Sequence, residues 1–247
     1  MDFGLVAAAF LIATGKPPLD TALTRTEPPT SLRAAFTVEL TDGEAFREVC
    51  FDPRIKDASE RWVILSGAGQ SAELDRAVES WGAEPAPDGW LIPDDLRASM
   101  GSIVEATDMG ELWRIEFEHQ PSENDGPLDI WASDHLVGYS WLEPVTQQLV
   151  RVEYEAMEPF QGPNGSRIES YEHSYTMAQD ATYGLTFVAA YSVDIQGRFL
   201  SETMSRSYRA RITDVEFFFA NETEEAAYFA RQKKTAAIST DQFAFVR

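Results

Sequence analysis

The side chains that could act as nucleophile, base or metal ligand are few: three histidines, one cysteine, and serines and carboxylates scattered along 247 residues. His119, His135 and His173 form no helical pair of the HExxH kind, in which a second ligand one turn away completes a metal site. His119 runs into a Pro-rich turn, and His135 follows Asp134 at the start of an apolar run. His173 says more, because Tyr171, Tyr175 and Met177 alternate with it and so share one face of an extended segment. That face reads as a ligand contact, as the seat of a general base, or simply as amphipathic side chains on a sheet. No acid partner for a base is apparent.

The other chemical strings fail on their context. Gly67-Ala68-Gly69-Gln70-Ser71-Ala72 matches GxGxxA, but a dinucleotide site also needs a second parallel strand ending in an acid about 20 residues on. At that distance stands Asp88, inside an Asp88-Gly89 turn and a Pro-rich loop. Gly69-Gln70-Ser71-Ala72-Glu73 and Gly138-Tyr139-Ser140-Trp141-Leu142 each lack the closing glycine of a nucleophile elbow. Ser71 reads better as a helix cap and Ser140 as a sheet-face residue. Residues 121–126 resemble a calcium loop, yet alignment on Gly126 puts Pro121 and Ala132 at the two essential ligand positions. Glu116, Glu118, Glu153, Glu155, Asp214 and Glu216 lie on polar strand faces, where no glycosidase-like pair stands out. Cys50, between Val49 and Phe51, has no partner for a disulfide and reads as a small buried hydrophobe. No cofactor and no metal is expected, and the balance leans away from an enzyme.

The elements that must position these residues are mostly strands. Val150-Arg151-Val152-Glu153-Tyr154-Glu155 and Trp113-Arg114-Ile115-Glu116-Phe117-Glu118 alternate with period two, as antiparallel strands with one wet face do. Strands are expected near residues 32–40, 45–51, 61–65, 102–106, 112–118, 128–132, 136–142, 148–157, 167–177, 185–195, 198–209, 211–219 and 243–246. Turns are expected at Asp42-Gly43 and Gln196-Gly197. Helices are expected over 72–81, with Ser71 as N-cap and Gly82 as stop, and over 222–233. Strands of more than ten residues span roughly 35 Å and must coil. The expected fold is mainly β: one strongly curved antiparallel sheet, a half-barrel, with a few covering helices.

One domain is expected over residues 30–247, with a helical insertion near 67–97 and a signal-like or flexible segment over 1–29. Residues 3–13 are apolar but shorter than the ~20 needed to span a bilayer, so no stable transmembrane anchor is expected. The run looks like the core of a secretory signal, although no Lys or Arg precedes it. Export to the periplasm is therefore favoured over a cytoplasmic location. Forty-one acidic residues against 20 basic give a net charge of −21. That field repels phosphate backbones and argues against nucleic-acid partners.

The early hairpin, Pro53-Arg54 followed by Trp62, and the late Gln196-Gly197-Arg198 before Arg211-Ile212-Thr213-Asp214-Val215-Glu216-Phe217 resemble the lipoprotein-carrier fold of the LolA and LolB type, over about residues 30–220. The resemblance implies a half-barrel holding lipid chains against helices outside the inner membrane. It assigns no ligand-binding residue. The residues themselves nominate Phe187 and Tyr191, from an apolar strand face, and Tyr171, His173 and Tyr175. Three functions remain: a cell-envelope carrier or binding protein for an apolar ligand such as a lipid or lipoprotein acyl chain, a structural or interaction protein with a filled core, and an enzyme working in the hollow of the sheet.

Overall fold

Period-two alternation produces a single sheet. The computed structural model describes residues 19–83, 91–93, 96–122, 127–162, 165–200 and 202–244. Its strands are β1 (Leu32–Thr41), β2 (Phe46–Phe51), β3 (Trp62–Ala68), β4 (Met100–Asp108), β5 (Trp113–His119), β6 (Leu136–Glu143), β7 (Gln148–Ala156), β8 (Phe160–Gln161), β9 (Ser166–Asp180), β10 (Leu185–Phe199) and β11 (Glu202–Phe219). Their order is β3-β2-β1-β11-β10-β9-β7-β6-β5-β4, with β8 attached to β9. All pairings are antiparallel. The ends β3 and β4 are separate edges, so the sheet is an open half-barrel rather than a closed one.

Helices cover one face. These are α1 (Leu19–Thr24), α2 (Ala72–Ala83), α3 (Leu96–Ser99), α4 (Pro127–Ser133) and α5 (Glu222–Ala244). Ser71 caps α2 as expected, its Oγ accepting from the Leu74 N–H at 3.2 Å. Leu74 and Ala77 of α2 join Phe36, Val38, Leu40, Val49 and Phe51 in one cluster. Leu19, Ala22 and Leu23 of α1 join Ile115, Phe117, Leu142 and Val152 in another. Arg47 ties α2 to the β2–β3 edge: its Nε donates to Asp75 Oδ1 at 2.8 Å and its Nη1 to the carbonyls of Phe46, Ala68 and Gly69. Its side chain is only 11% exposed, so truncation orphans carbonyls as well as Asp75. Arg47→Ala is expected to cost about 1–3 kcal/mol in urea unfolding, and Lys to restore less than half because it lacks the fork. A loss under about 0.5 kcal/mol, the ordinary surface value, contradicts that role.

Several expected elements are corrected. Residues 128–132 are not a strand but lie in α4, where Pro127 at the first helical position supplies a preset φ. Gln196-Gly197 is not a turn. It lies inside β10 at a register shift, and a Cβ on Gly197 would sit 2.6 Å from the Arg167 carbonyl oxygen, so glycine there permits close approach of β9. The reversal comes between Phe199 and Glu202, which pair. The two strands expected over 198–209 and 211–219 are therefore divided otherwise: β11 runs unbroken for 18 residues, bent at a bulge where Asp214 takes φ 52°. Phe243 and Ala244 belong to α5, not to a last strand; the rest of that expected strand, the signal-like run, Asp88 and the calcium-like residues 123–126 lie outside the described residues.

Candidate functional site

Register carries residues distant in sequence into rows across the helix-covered face. One row runs Phe117, Gly138, Tyr154, His173, Val193, Tyr208 across β5, β6, β7, β9, β10 and β11. The next runs Ile115, Ser140, Val152, Tyr175, Tyr191, Ala210, Leu40. On the other side Tyr171, Ile195 and Arg206 form a third, short row. The structure thus brings together four of the five nominated residues, Tyr171, His173, Tyr175 and Tyr191. The fifth, Phe187, stands apart with Phe217 at 5.5 Å between ring centroids.

The rings form a continuous wall. His173 lies 4.3 Å from Tyr175 and 6.2 Å from Tyr191, Tyr175 lies 6.4 Å from Tyr154, and Tyr191 lies 6.1 Å from Tyr208. Each pair falls within or near the tilted and edge-on geometries that aromatic quadrupoles favour. Exposure grades across the wall. Ile115, Val152 and Ala210 are buried, Tyr171, His173, Tyr175, Tyr191 and Ile195 are half-buried, and Arg206 is exposed. Protein surrounds His173 and Tyr191 closely while each keeps some accessible surface. Tyr175 and Tyr191 pack against the cluster made with α1, and Tyr171 and Ile195 against Phe160 and Ile168, so the wall borders the core and keeps part of its surface accessible.

The electrostatics keep the wall uncharged. Burial, and secondarily the Arg206 guanidinium, lower the His173 pKa to about 3. Burial drives the Tyr191 phenol well above its ordinary value. Tyr175 Oη lies 3.4 Å from His173 Nδ1, and His173 Nε2 is inaccessible with no hydrogen-bond partner. At the rim, Arg206 Nη2 donates to Tyr208 Oη at 2.9 Å and its guanidinium lies over the same ring. Glu73 of α2 is near enough to feel Arg206; burial raises its pKa, and its Oε1 has no partner.

These features bear on the enzyme reading. An efficient general base titrates near working pH and is oriented by an acid. His173 titrates far below that, and no carboxylate hydrogen-bonds it among the described residues. No group of three or more His, Cys, Asp or Glu able to hold a metal occurs among the described residues. Gly67 to Ala72 joins β3, which is antiparallel to β2, to α2, so no βαβ unit surrounds it. His135 stacks on Phe160 at 4.5 Å, and His119 packs on Tyr154 at 4.5 Å. Sequence reasoning missed Arg206, Tyr208, Tyr154 and Glu73. The alternation that gives Ser205 and Ser207 a hydroxyl face also puts Arg206 and Tyr208 on the opposite one; Glu73 needed the helix docking.

No family model and no curated protein matches the chain. Among solved structures it is similar to a crystal structure of a Vibrio parahaemolyticus domain named for outer membrane lipoprotein sorting, with 10% identity over 84% of this chain and 94% of that one, at a TM-score of 0.35.

Proposed function

We propose that the protein is a non-catalytic carrier or binding protein of the cell envelope whose ligand is apolar, a lipid or the acyl chain of a lipoprotein. One observation supports this above the others: a wall of half-buried, uncharged aromatic rings, Tyr171, His173, Tyr175 and Tyr191, graded from a buried floor to a charged rim at Arg206. An acyl chain gains from apolar contact and loses nothing to such a wall, because no ionised group there needs water. Phe187 belongs to the adjoining core and serves the shape of the sheet. Export fits this reading; no described helix is long and apolar enough to cross a membrane.

Native mass spectrometry of protein purified from its own host is expected to show a co-purified lipid, and a fluorescent fatty acid is expected to bind and be displaced by unlabelled fatty acid. Tyr191→Asp, which puts a charge in the wall, is expected to weaken probe binding about tenfold or more. Absence of both lipid and probe binding would leave the filled-core interaction protein as the better reading. Mass analysis of the mature N-terminus checks export.

A further inference from the structure

The opposite, polar face of the sheet carries a groove of about 750 Å³. Its depth has a direct cause in the register. Small side chains, Ala190, Ser192, Ser174 and Thr176, occupy neighbouring positions on β10 and β9, while the longer Phe46, Glu39, Glu48, Arg209 and Arg211 also line the groove, Glu39 paired with Arg211 and Glu48 accepting from Ser66. Thr41, Arg209, Ser192 and Ser174 form one unbroken cross-strand row.

The guanidiniums of Arg47, Arg54, Arg97, Arg151, Arg198 and Arg211 are each paired with a carboxylate. Arg209, in the middle of the groove, has no hydrogen-bond or ion-pair partner among the described residues, although the chain carries twice as many acids as bases. An unpaired guanidinium fork matches a carboxylate. Hydroxyl side chains beside it both donate and accept, as sugar hydroxyls do. Phe46 is 43% exposed on the groove wall, an apolar ring face for the C–H face of a pyranose.

We propose that this groove binds an acidic saccharide, with a uronate carboxylate on Arg209, ring hydroxyls on Ser174 and Ser192, and one sugar ring against Phe46. The row of Arg209, Ser192 and Ser174 alternates with the wall's residues and so faces the other side of the sheet, and Leu40, Tyr191 and Ala210 of the wall's second row border the groove as well.

Isothermal titration with trigalacturonate and with its uncharged methyl ester tests it. The acid is expected to bind the wild type. Arg209→Gln is expected to weaken the acid about tenfold or more and to leave the weaker ester unchanged. Phe46→Ala weakens both, and Ser192→Tyr, which fills the groove, abolishes both. All of these side chains have solvent access, so thermal unfolding is expected to stay near wild type and to report any variant that misfolds. No binding of trigalacturonate at millimolar concentration, equal competition by acetate, or acid binding untouched by Arg209→Gln and Ser192→Tyr overturns the proposal.

Discussion

Replacing Gly138 by alanine is expected to destabilise the protein by about 2 kcal/mol, and by valine by more, although either residue suits a strand better than glycine. Gly138 of β6 pairs directly with Phe117 of β5 and with Tyr154 of β7. A Cβ at Gly138 would overlap Cε2 and Cζ of the Phe117 ring, which packs against the bare backbone there. Phe117 is wholly buried and sits between Tyr154 at 6.0 Å and the cluster made with α1. It has no room to swing away, so overpacking outweighs the smaller gain in strand propensity. Phe117→Leu alone costs about 1–1.5 kcal/mol of packing. In the Gly138→Ala background it is expected to cost much less, because the shorter side chain clears the new methyl. A double-mutant cycle by urea unfolding should return a coupling above about 1 kcal/mol. Additive effects would mean that the ring relaxes freely and that the contact does not fix this part of the sheet.

Acidification below neutrality is expected to destabilise the protein through His173 by up to about 1.4 kcal/mol per pH unit, over a window from about pH 6.5 down to the folded-state value. The folded-state pKa of about 3 lies below the ordinary 6.5. Between those values the unfolded chain binds a proton that the native state refuses. Stability therefore rises with pH across the window, is unaffected by this group above it, and stops falling once both states are protonated. The half-burial of His173 leaves some water to screen the charge and holds the effect below the full slope. His173→Phe keeps the ring stacking and removes both the titration and the unpartnered Nε2. The variant should match or exceed wild-type stability at pH 7.5 and exceed it by about 1–3 kcal/mol at pH 4.5, measured by urea midpoints at each pH. Parallel pH profiles for the two proteins would show that His173 is solvated and that the wall is open to water. Bound fatty acid should narrow the difference only if it contacts this residue.

Much of this architecture was legible because strand side chains alternate strictly. Trp113, Ile115 and Phe117 announce their buried face by spacing alone, and Ser71 before Leu74, Ala77, Val78 and Trp81 announces α2. The failures have local causes. Leu128 to Ala132 carries the strand formers Ile130 and Trp131 at its centre, and its helical state depends on Pro127 and on the packing of Trp131 against Phe160 at 5.2 Å. Gln196-Gly197 has the composition of a turn, but glycine serves there to let Arg167 come close. Leu200, at φ 56°, turns the chain where nothing in its residue type invites a turn.

The site divides in the same way. His173 with its flanking tyrosines, and the apolar face of β10, could be named from the sequence, since a strand's own alternation decides which of its residues share a side. Which strands lie side by side is decided only by pairing. The chain places Arg206, Tyr208 and Glu73 far from Tyr154, and only the order β11-β10-β9-β7 brings Tyr154, Tyr208 and Arg206 to His173, while the docking of α2 brings Glu73 to Arg206. The groove at Arg209 is likewise invisible in any single strand, because its depth comes from small residues adjacent across β10 and β9. The period, the length and the two-faced character of the strands are properties of neighbouring residues and could be read along the chain. Strand order and register depend on long-range contacts and on bulges such as that at Asp214, so which side chains meet is fixed only in the folded sheet.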